Sequence, residues 1–538
     1  MGFNRRRFIQ YLGGLTLISP HLGMSLTRAG LGPQPTHGPF LHGVASGDPL
    51  ADRVILWTRV TPPNRDTGVV AVKWQMATDP ELRTVIADGI THTDASRDFT
   101  VKLDPDNLQP GTTYYYRFSA LGHHSPIGRT KTLPANHVEK LRIAFTSCAN
   151  YPYGYFNVYG MIARRHDLDV VLHLGDYLYE YANGTYGDGA PYGRIPEPNK
   201  EIVTLDDYRC RFAQYHTDID LQEAHRQHPF IAVWDDHETA DDSWKDGAEN
   251  HNPELGEGDW PTRRDAAVQA YYEWMPIRQT DPDDPLRCYR SFRFGNLLDL
   301  VMLDTRLYGR DKQPADIHDP AINDPDRSLL GATQESWCLQ QLSQSKQDDI
   351  RWRVVGQQVM FGQLLVGGDI FNVDQWDGYP ASRRRVLNHL RDDAIDNTII
   401  LTGDIHSSWA MDIAEDPYDA TRYSPQTGQG SLAVEFVTPA VTSPAIEDPV
   451  QAALTATMLQ YGNPHMKFVD LLNRGYVLLD MDHRRTQAEW YHAATITEPG
   501  NYSETMAAAF QTWDTSNSLI PADTPSIPHE SPAPPAPL

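Results

Sequence analysis

The sequence predicts an α/β domain, β-sheets flanked by helices, preceded by a smaller all-β sandwich. Three observations carry that expectation. From Phe40 to about Leu133, short alternating apolar runs are punctuated by turns, the pattern of half-buried strands. From Lys140 the texture changes, and apolar runs recur between longer polar or helical stretches, as in an α/β domain. Charged residues gather at the C-terminal ends of those later runs, where open α/β sheets bind ligands. A chain of 538 residues is too long for one core and leaves room for about two or three domains.

The chain opens on MGFNRRRFIQYLGGLTLISPHLG, in which Arg5-Arg6-Arg7-Phe8 fits a twin-arginine export signal. The apolar stretch from Tyr11 to Ile18 suits a signal segment and is too short to span a bilayer. Residues 1–32 are therefore expected to be a signal peptide, cleaved between Gly23 and Gly32. The expected route is the twin-arginine machinery and the destination periplasmic or extracellular. Export in the folded state suits a protein that acquires its cofactor before crossing. No later segment reads as transmembrane.

Residues 38–135 form the expected sandwich, with strands at Val70–Met76, Phe99–Leu103 and Thr113–Phe118. LQPGTTYYYRFSA is a turn-then-strand of the fibronectin- or Ig-like kind. Residues 140–495 form the α/β domain, with strand candidates in LRIAFTSC, LDVVLHLGD, FIAVWDDHE, NLLDLVMLDTR, IRWRVVGQQ and NTIILTGDIH. Residues 496–538 are a C-terminal extension whose Pro-rich end, from about Asp514, lacks an apolar period and is expected to drape loosely.

Composition narrows the function. A formal net charge of −25 disfavours a stable complex with nucleic acid or anionic membranes. A phosphate-bearing substrate would need local positive charge, which bound cations supply. Cys148, Cys210, Cys288 and Cys338 lie far apart, so no Cys-x-x-Cys motif exists and up to two disulfides could form.

The strand ends carry the chemistry. Cys148 ends the first apolar run, Asp176 and Tyr179 follow the second, Asp235 to Glu238 the third, and Asp404 and His406 the last. Singly, each reads as a core cysteine, a turn or cap acid, or a buried histidine. Jointly, thiolate, phenolate, carboxylates and imidazole at one end of a sheet make ligands for two or more metal ions. Asp176 is placed to bridge two cations, with Tyr179 curling back onto one of them. Thiolate, phenolate and imidazole suit a transition metal, an oxidised iron above all; Asp236 and Asp404 suit a hard cation such as calcium or magnesium.

The order Cys, GDxxY, DDHE, GDxH resembles that of the PhoD-type alkaline phosphatases, a branch of the calcineurin-like metallophosphoesterases related to purple acid phosphatases. GVASGDPLADRVILWTRV and MLDTRLYGR share the resemblance, which runs from about Phe40 to Tyr491. It implies a metallophosphoesterase fold and a secreted hydrolase of phosphate mono- or diesters acting through a metal-bound hydroxide. The cofactors implied are Fe3+ and Ca2+, one iron with one or two calcium ions. Iron ligands would be Cys148, Asp176, Tyr179 and His406; calcium ligands would be Asp176, Asp236 and Asp404. His237 would contact the phosphate and assist the leaving group. Gln357 stands where the superfamily has a histidine ligand and is a candidate oxygen donor. Arg306 is a candidate phosphate clamp or a structural partner of Asp304. Asp235 and Glu238 would orient ligands, and Asp241 and Asp242 could serve a second calcium. Residues 182–204, dense in Gly, Pro and Tyr, would form a long loop over the site. The alternatives are a phospholipase D-like phosphodiesterase on the same scaffold and a secreted binding protein with a structural metal site. Against the latter, structural sites are normally closed, and this one is rich in ionisable groups beyond any closed set.

Overall fold

Alternation along the strands decides the layering. In the strand Leu298–Met302, Leu298, Leu300 and Met302 enter one core together with Ile143, Leu172 and Ile231 of another sheet. Val301 enters a second core, with Leu342, Leu387 and Leu390 of the helices Gly331–Gln347 and Pro380–Asp392. Successive side chains of a strand point to opposite faces, so two sheets pack face to face and helices cover them outside. On the other outer face lie the helices Asn157–Ala163, Leu205–Tyr215, Ile219–Gln227 and Trp260–Trp274.

The structure, a computed structural model, describes residues 38–64 and 67–537. The expected signal peptide lies outside the described residues. The two-part arrangement is as expected: an all-β N-terminal part and an α/β part of mixed sheets with helices.

The strands that carry the candidate residues do not share one sheet. Lys140–Thr146, Val170–His173 and Pro229–Ala232 run parallel in a ten-stranded sheet. Leu298–Met302, Trp352–Gly356 and Thr398–Thr402 run parallel in a seven-stranded one. The carboxyl ends of both converge, and an isolated bridge between Ser147 and Ala440 ties them there.

The sandwich shares a sheet with the α/β part. Val85–Thr93, Val70–Ala77 and Thr113–Ala120 form its outer sheet with Gly128–Lys131. Its inner strands, Val44–Gly47, Ile55–Arg59 and Thr100–Leu103, continue the ten-stranded sheet, because Val44–Gly47 pairs in parallel with Pro229–Ala232. The expected boundary at residue 495 also moves. Glu504–Trp513 pairs antiparallel with Arg485–Ala493, so the extension supplies another strand of the same sheet.

The Pro-rich end is docked where composition suggested a loose drape. Proline cannot donate to a ladder, but the tail's carbonyls and its few amides can bond to side chains. The Arg142 guanidinium donates to Ser526 Oγ at 2.8 Å, Tyr115 Oη to the Pro534 carbonyl at 2.6 Å, and the Ala536 amide to Gln227 Oε1 at 2.9 Å. No disulfide joins any of the four cysteines among the described residues. Burial pushes the thiols of Cys288 and Cys338 up to about 12, which leaves them inert.

Candidate metal centre

Each strand end turns abruptly before delivering its side chain. Cys148, Asp176, Asp404 and His406 all have φ between 55° and 62°. That left-handed region costs non-glycine residues energy, and such conformations cluster at functional sites. Gly175 must be glycine: its φ is 101°, and a Cβ there would lie 2.4 Å from Asp235 Cβ. The second strand therefore presents Asp176 hard against the third strand's Asp235. Glu238 locks this contact, accepting from the amides of Asp176, Tyr177 and Asp235 at 3.1, 2.6 and 2.8 Å.

On one side, Cys148, Asp176 and His406 are buried with a ligand atom of each within 4.8 Å of the others. Tyr179 Oη donates to Asp176 Oδ2 at 2.8 Å and lies 3.1 Å from His406 Nε2. His406 Nδ1 donates to the Pro444 carbonyl at 2.9 Å, which turns Nε2 toward the cluster. The expected iron-binding residues are thus brought together.

On the other side lie Asp235, Asp236 and Asp404, and beyond them Asp236, Asp241 and Asp242, each group with ligand atoms within 4.8 Å. Asp176, Asp236 and His237 form a further such group, so Asp176 is shared between the two halves. Arg306 sits among the acids: Nε to Asp235 at 2.5 Å, one terminal nitrogen to Asp374 at 2.9 Å, the other to Asp404 at 2.8 Å. Its guanidinium does not pair with Asp304, whose carboxylate accepts instead from the amides of Arg306, Leu307 and Tyr308.

Gln357 is hydrogen-bonded to residues other than those of the cluster. Its Nε2 donates to Thr402 Oγ1 at 2.5 Å and its Oε1 accepts from Trp376 at 3.2 Å, so both ends are engaged within the second core's wall. His237 Nδ1 donates to Glu180 Oε2 at 2.7 Å, and its ring lies 4.3 Å from that of Tyr179. The loop 182–204 does reach the centre. Its Tyr186 ring lies 6.0 Å from His237 and 6.3 Å from His406.

Three residues of this centre escape sequence reasoning: Glu180, Asp374 and Arg310, which also pairs with Asp374. Glu180 stands in HLGDYLYEY, one residue past Tyr179, and that adjacency was its only signal.

The charge balance fits cations. Asp176, Glu180, Asp235, Asp236, Glu238, Asp242, Asp374 and Asp404 are buried together, with Arg306 and Arg310 as the buried guanidinium partners. Asp235 Oδ2 and Asp236 Oδ1 have no hydrogen-bond partner among the described residues, an expensive state for buried carboxylate oxygens. Burial, then Asp176, pushes Glu238 up to about 8, and burial followed by Asp374 and Asp241 pushes Asp242 well above the usual carboxylate range. The acids of the site outnumber its two guanidinium groups, and its sulfur, phenol, imidazole and carboxylate donors are of the kinds that bind metals.

Comparison with known proteins gives the same picture along the chain. A family model described as PhoD-like phosphatase matches residues 143–490, and one described as its N-terminal domain matches residues 26–134. Alkaline phosphatase D of Bacillus subtilis (strain 168) is 36% identical over 530 residues, covering 94% of this chain and 87% of that protein. A solved structure of PhoD superimposes with a TM-score of 0.82 at 35% identity, covering 92% of this chain and 94% of its own.

Proposed function

The chain belongs to the PhoD-like phosphatase family and is a phosphoester hydrolase, and from that premise we propose that the strand-end cluster releases phosphate from small mono- or diesters with one Fe3+ and one or two Ca2+ as cofactors. The observation that carries this reading is the position of Asp176, common to the group with Cys148 and His406 and to the group with Asp236 and His237. Cys148, Asp176, Tyr179 and His406 would hold the iron. Asp176, Asp236 and Asp404 would hold a calcium, and Asp241 and Asp242 a second. Bound there, the metals would lower the pKa of a water and neutralise phosphate oxygens during displacement.

The chain's own groups support the rest. Glu180 accepts a hydrogen bond from His237 Nδ1, which makes Nε2 the atom that would contact phosphate and assist the leaving group. Arg306 is held on several sides by buried carboxylates, so its role is to balance their charge rather than to clamp substrate. Tyr186 and Tyr181 wall the His237 side against water. Arg5-Arg6-Arg7-Phe8 supports export through the twin-arginine machinery to the periplasm or exterior. No helix among the described residues is long and apolar enough to cross a membrane.

The test compares a nitrophenyl phosphate monoester with the corresponding diester at alkaline pH, before and after chelation and with calcium restored. Turnover lost on chelation and recovered with calcium is expected, and the preferred ester separates phosphatase from diesterase. Turnover indifferent to complete metal removal would overturn the metal assignment.

A further inference from the structure

The helix Pro449–Gly462, PVQAALTATMLQYG, contains no charged residue. One face is core: Ala452, Ala456 and Leu459 are buried beside Met466 and Leu471. The other face should then be polar, and it is not. Val450, Leu454, Met458 and Tyr461 are 67, 63, 71 and 93% exposed. Spacings of four, four and three residues align them in one stripe along the helix. The hairpin Leu365–Ile370 extends the stripe. Its Leu365 exchanges two 2.9 Å hydrogen bonds with Asn463 just past the helix, and its Val366 is 43% exposed.

The N-terminal end of this helix leads back to the metal centre. The segment leading into the helix supplies the Pro444 carbonyl to His406 and Ser443 Oγ to Tyr179 Oη, at 2.9 and 2.6 Å. Glu447, two residues before the helix, accepts from Tyr153 Oη at 2.5 Å.

Area and charge select the occupant. Side chains of this size and exposure offer on the order of 500 Å², short of the roughly 800 Å² per partner of a stable dimer but typical of a functional apolar patch. A second copy would also bring another net charge of −25. Anionic lipid would need basic residues, and the helix has none. What remains is an apolar layer under electrically neutral headgroups, a boundary at which a terminal tyrosine such as Tyr461 is at home.

We propose that the helix Pro449–Gly462, with Val366, docks the enzyme on a zwitterionic phospholipid surface and so holds the metal centre beside the headgroup layer. The full chain and a chain beginning at residue 33 are each sedimented with phosphatidylcholine vesicles and with phosphatidylglycerol vesicles. Both chains should partition onto phosphatidylcholine, and the double variant Leu454→Gln, Met458→Gln should bind at least tenfold more weakly. Turnover of a soluble nitrophenyl ester should not change in the variant, because neither residue touches the centre. If that variant misfolds, seen as lost soluble turnover and an altered melt, Val450→Gln with Tyr461→Ser replaces it. The proposal fails if wild type stays in the supernatant or if a folded variant binds as wild type does. It fails too if phosphatidylglycerol binds better, or if removing residues 1–32 abolishes binding, which makes that segment the anchor. A wild-type dimer that the variant dissolves in sedimentation velocity would assign the stripe to a second copy.

Discussion

His237 Nδ1 donates to Glu180 Oε2 across 2.7 Å, and both side chains are buried. Glu180 is itself held by the Asp241 amide at 2.9 Å and Asn250 Nδ2 at 3.0 Å. Burial alone would raise its carboxyl, but the charge and hydrogen bond of His237 outweigh that and hold it below the usual value. The pair fixes the tautomer and orientation of the imidazole. Glu180→Gln should therefore lower kcat about 10- to 100-fold with metal content unchanged, and should shift the pH profile of kcat. A variant with normal kcat and profile would mean that packing alone positions His237.

Asp176 belongs to two of the candidate metal groups, one with Cys148 and His406 and one with Asp236 and His237, so its loss should be felt in both. Asp176→Asn should cut turnover at least about 100- to 1,000-fold and reduce bound metal, read by elemental analysis. Cys148→Ser should change the metal content or the visible absorption more than the melting temperature. A Cys148→Ser enzyme with unchanged metals and spectrum would return the thiol to a packing role.

What the sequence disclosed and what it hid differ by locality. Cys148, Asp176, Tyr179, Asp404 and His406 each follow an apolar strand within a few residues, so one-dimensional pattern finds them. Asp374 follows only a two-residue strand, Asp369–Ile370, and its partner Arg306 lies 68 positions away. Gln357 had the right place after a strand, but its amide is claimed by Thr402 and Trp376, which no local pattern announces. Likewise the parallel pairing of Ser46 with Pro229 leaves no local trace, so the continuity of sandwich and central sheet was invisible. Strand identity is written in period 2; strand partnership is written in three dimensions.

Arg306 faces Asp235, Asp374 and Asp404 from a fully buried position. Removing one partner of a buried ion network leaves uncompensated charge, at a cost of about 3–5 kcal/mol. Arg306→Leu should lower the urea midpoint accordingly. Arg306→Lys, which restores charge without the planar fork, should fall between. Were Arg306 instead a substrate clamp, Arg306→Leu would raise KM and leave the urea midpoint where it was.

Asp220 offers a pH signature away from the metal centre. It accepts from Tyr502 Oη at 2.6 Å, and burial, followed by the charge of Asp218, pushes it up to about 6. A carboxyl raised on folding binds its proton more tightly in the native state. Native stability therefore falls as pH rises from the unfolded value near 4 to the folded value near 6, and the penalty persists above it. Asp220→Asn carries no such penalty. Its stability relative to wild type should improve between pH 4 and pH 7 by on the order of 2 kcal/mol, measured by urea unfolding at each pH. A difference constant across that range would mean that Asp220 titrates as an ordinary carboxylate.

The C-terminal strap crosses the end of the sheet opposite to the metal centre. Its partners Lys140, Arg142 and Asp169 lie at the starts of the strands whose far ends lead to Cys148 and Asp176. It then reaches the N-terminal part, where Ala536 is buried with Ala77, Leu82 and Tyr115. Docked in this way, the strap should stabilise the junction of the two parts without touching catalysis. Ending the chain after Thr524 should lower the melting temperature by about 2–4 °C for each kcal/mol lost, while kcat and KM on a soluble ester stay constant. The contrast is decisive because the two readouts report opposite ends of the same strands. An unchanged melt would show the strap to be draped, as its proline content alone suggests. A fall in kcat with an unchanged melt would place its influence at the carboxyl ends, against the path of the chain.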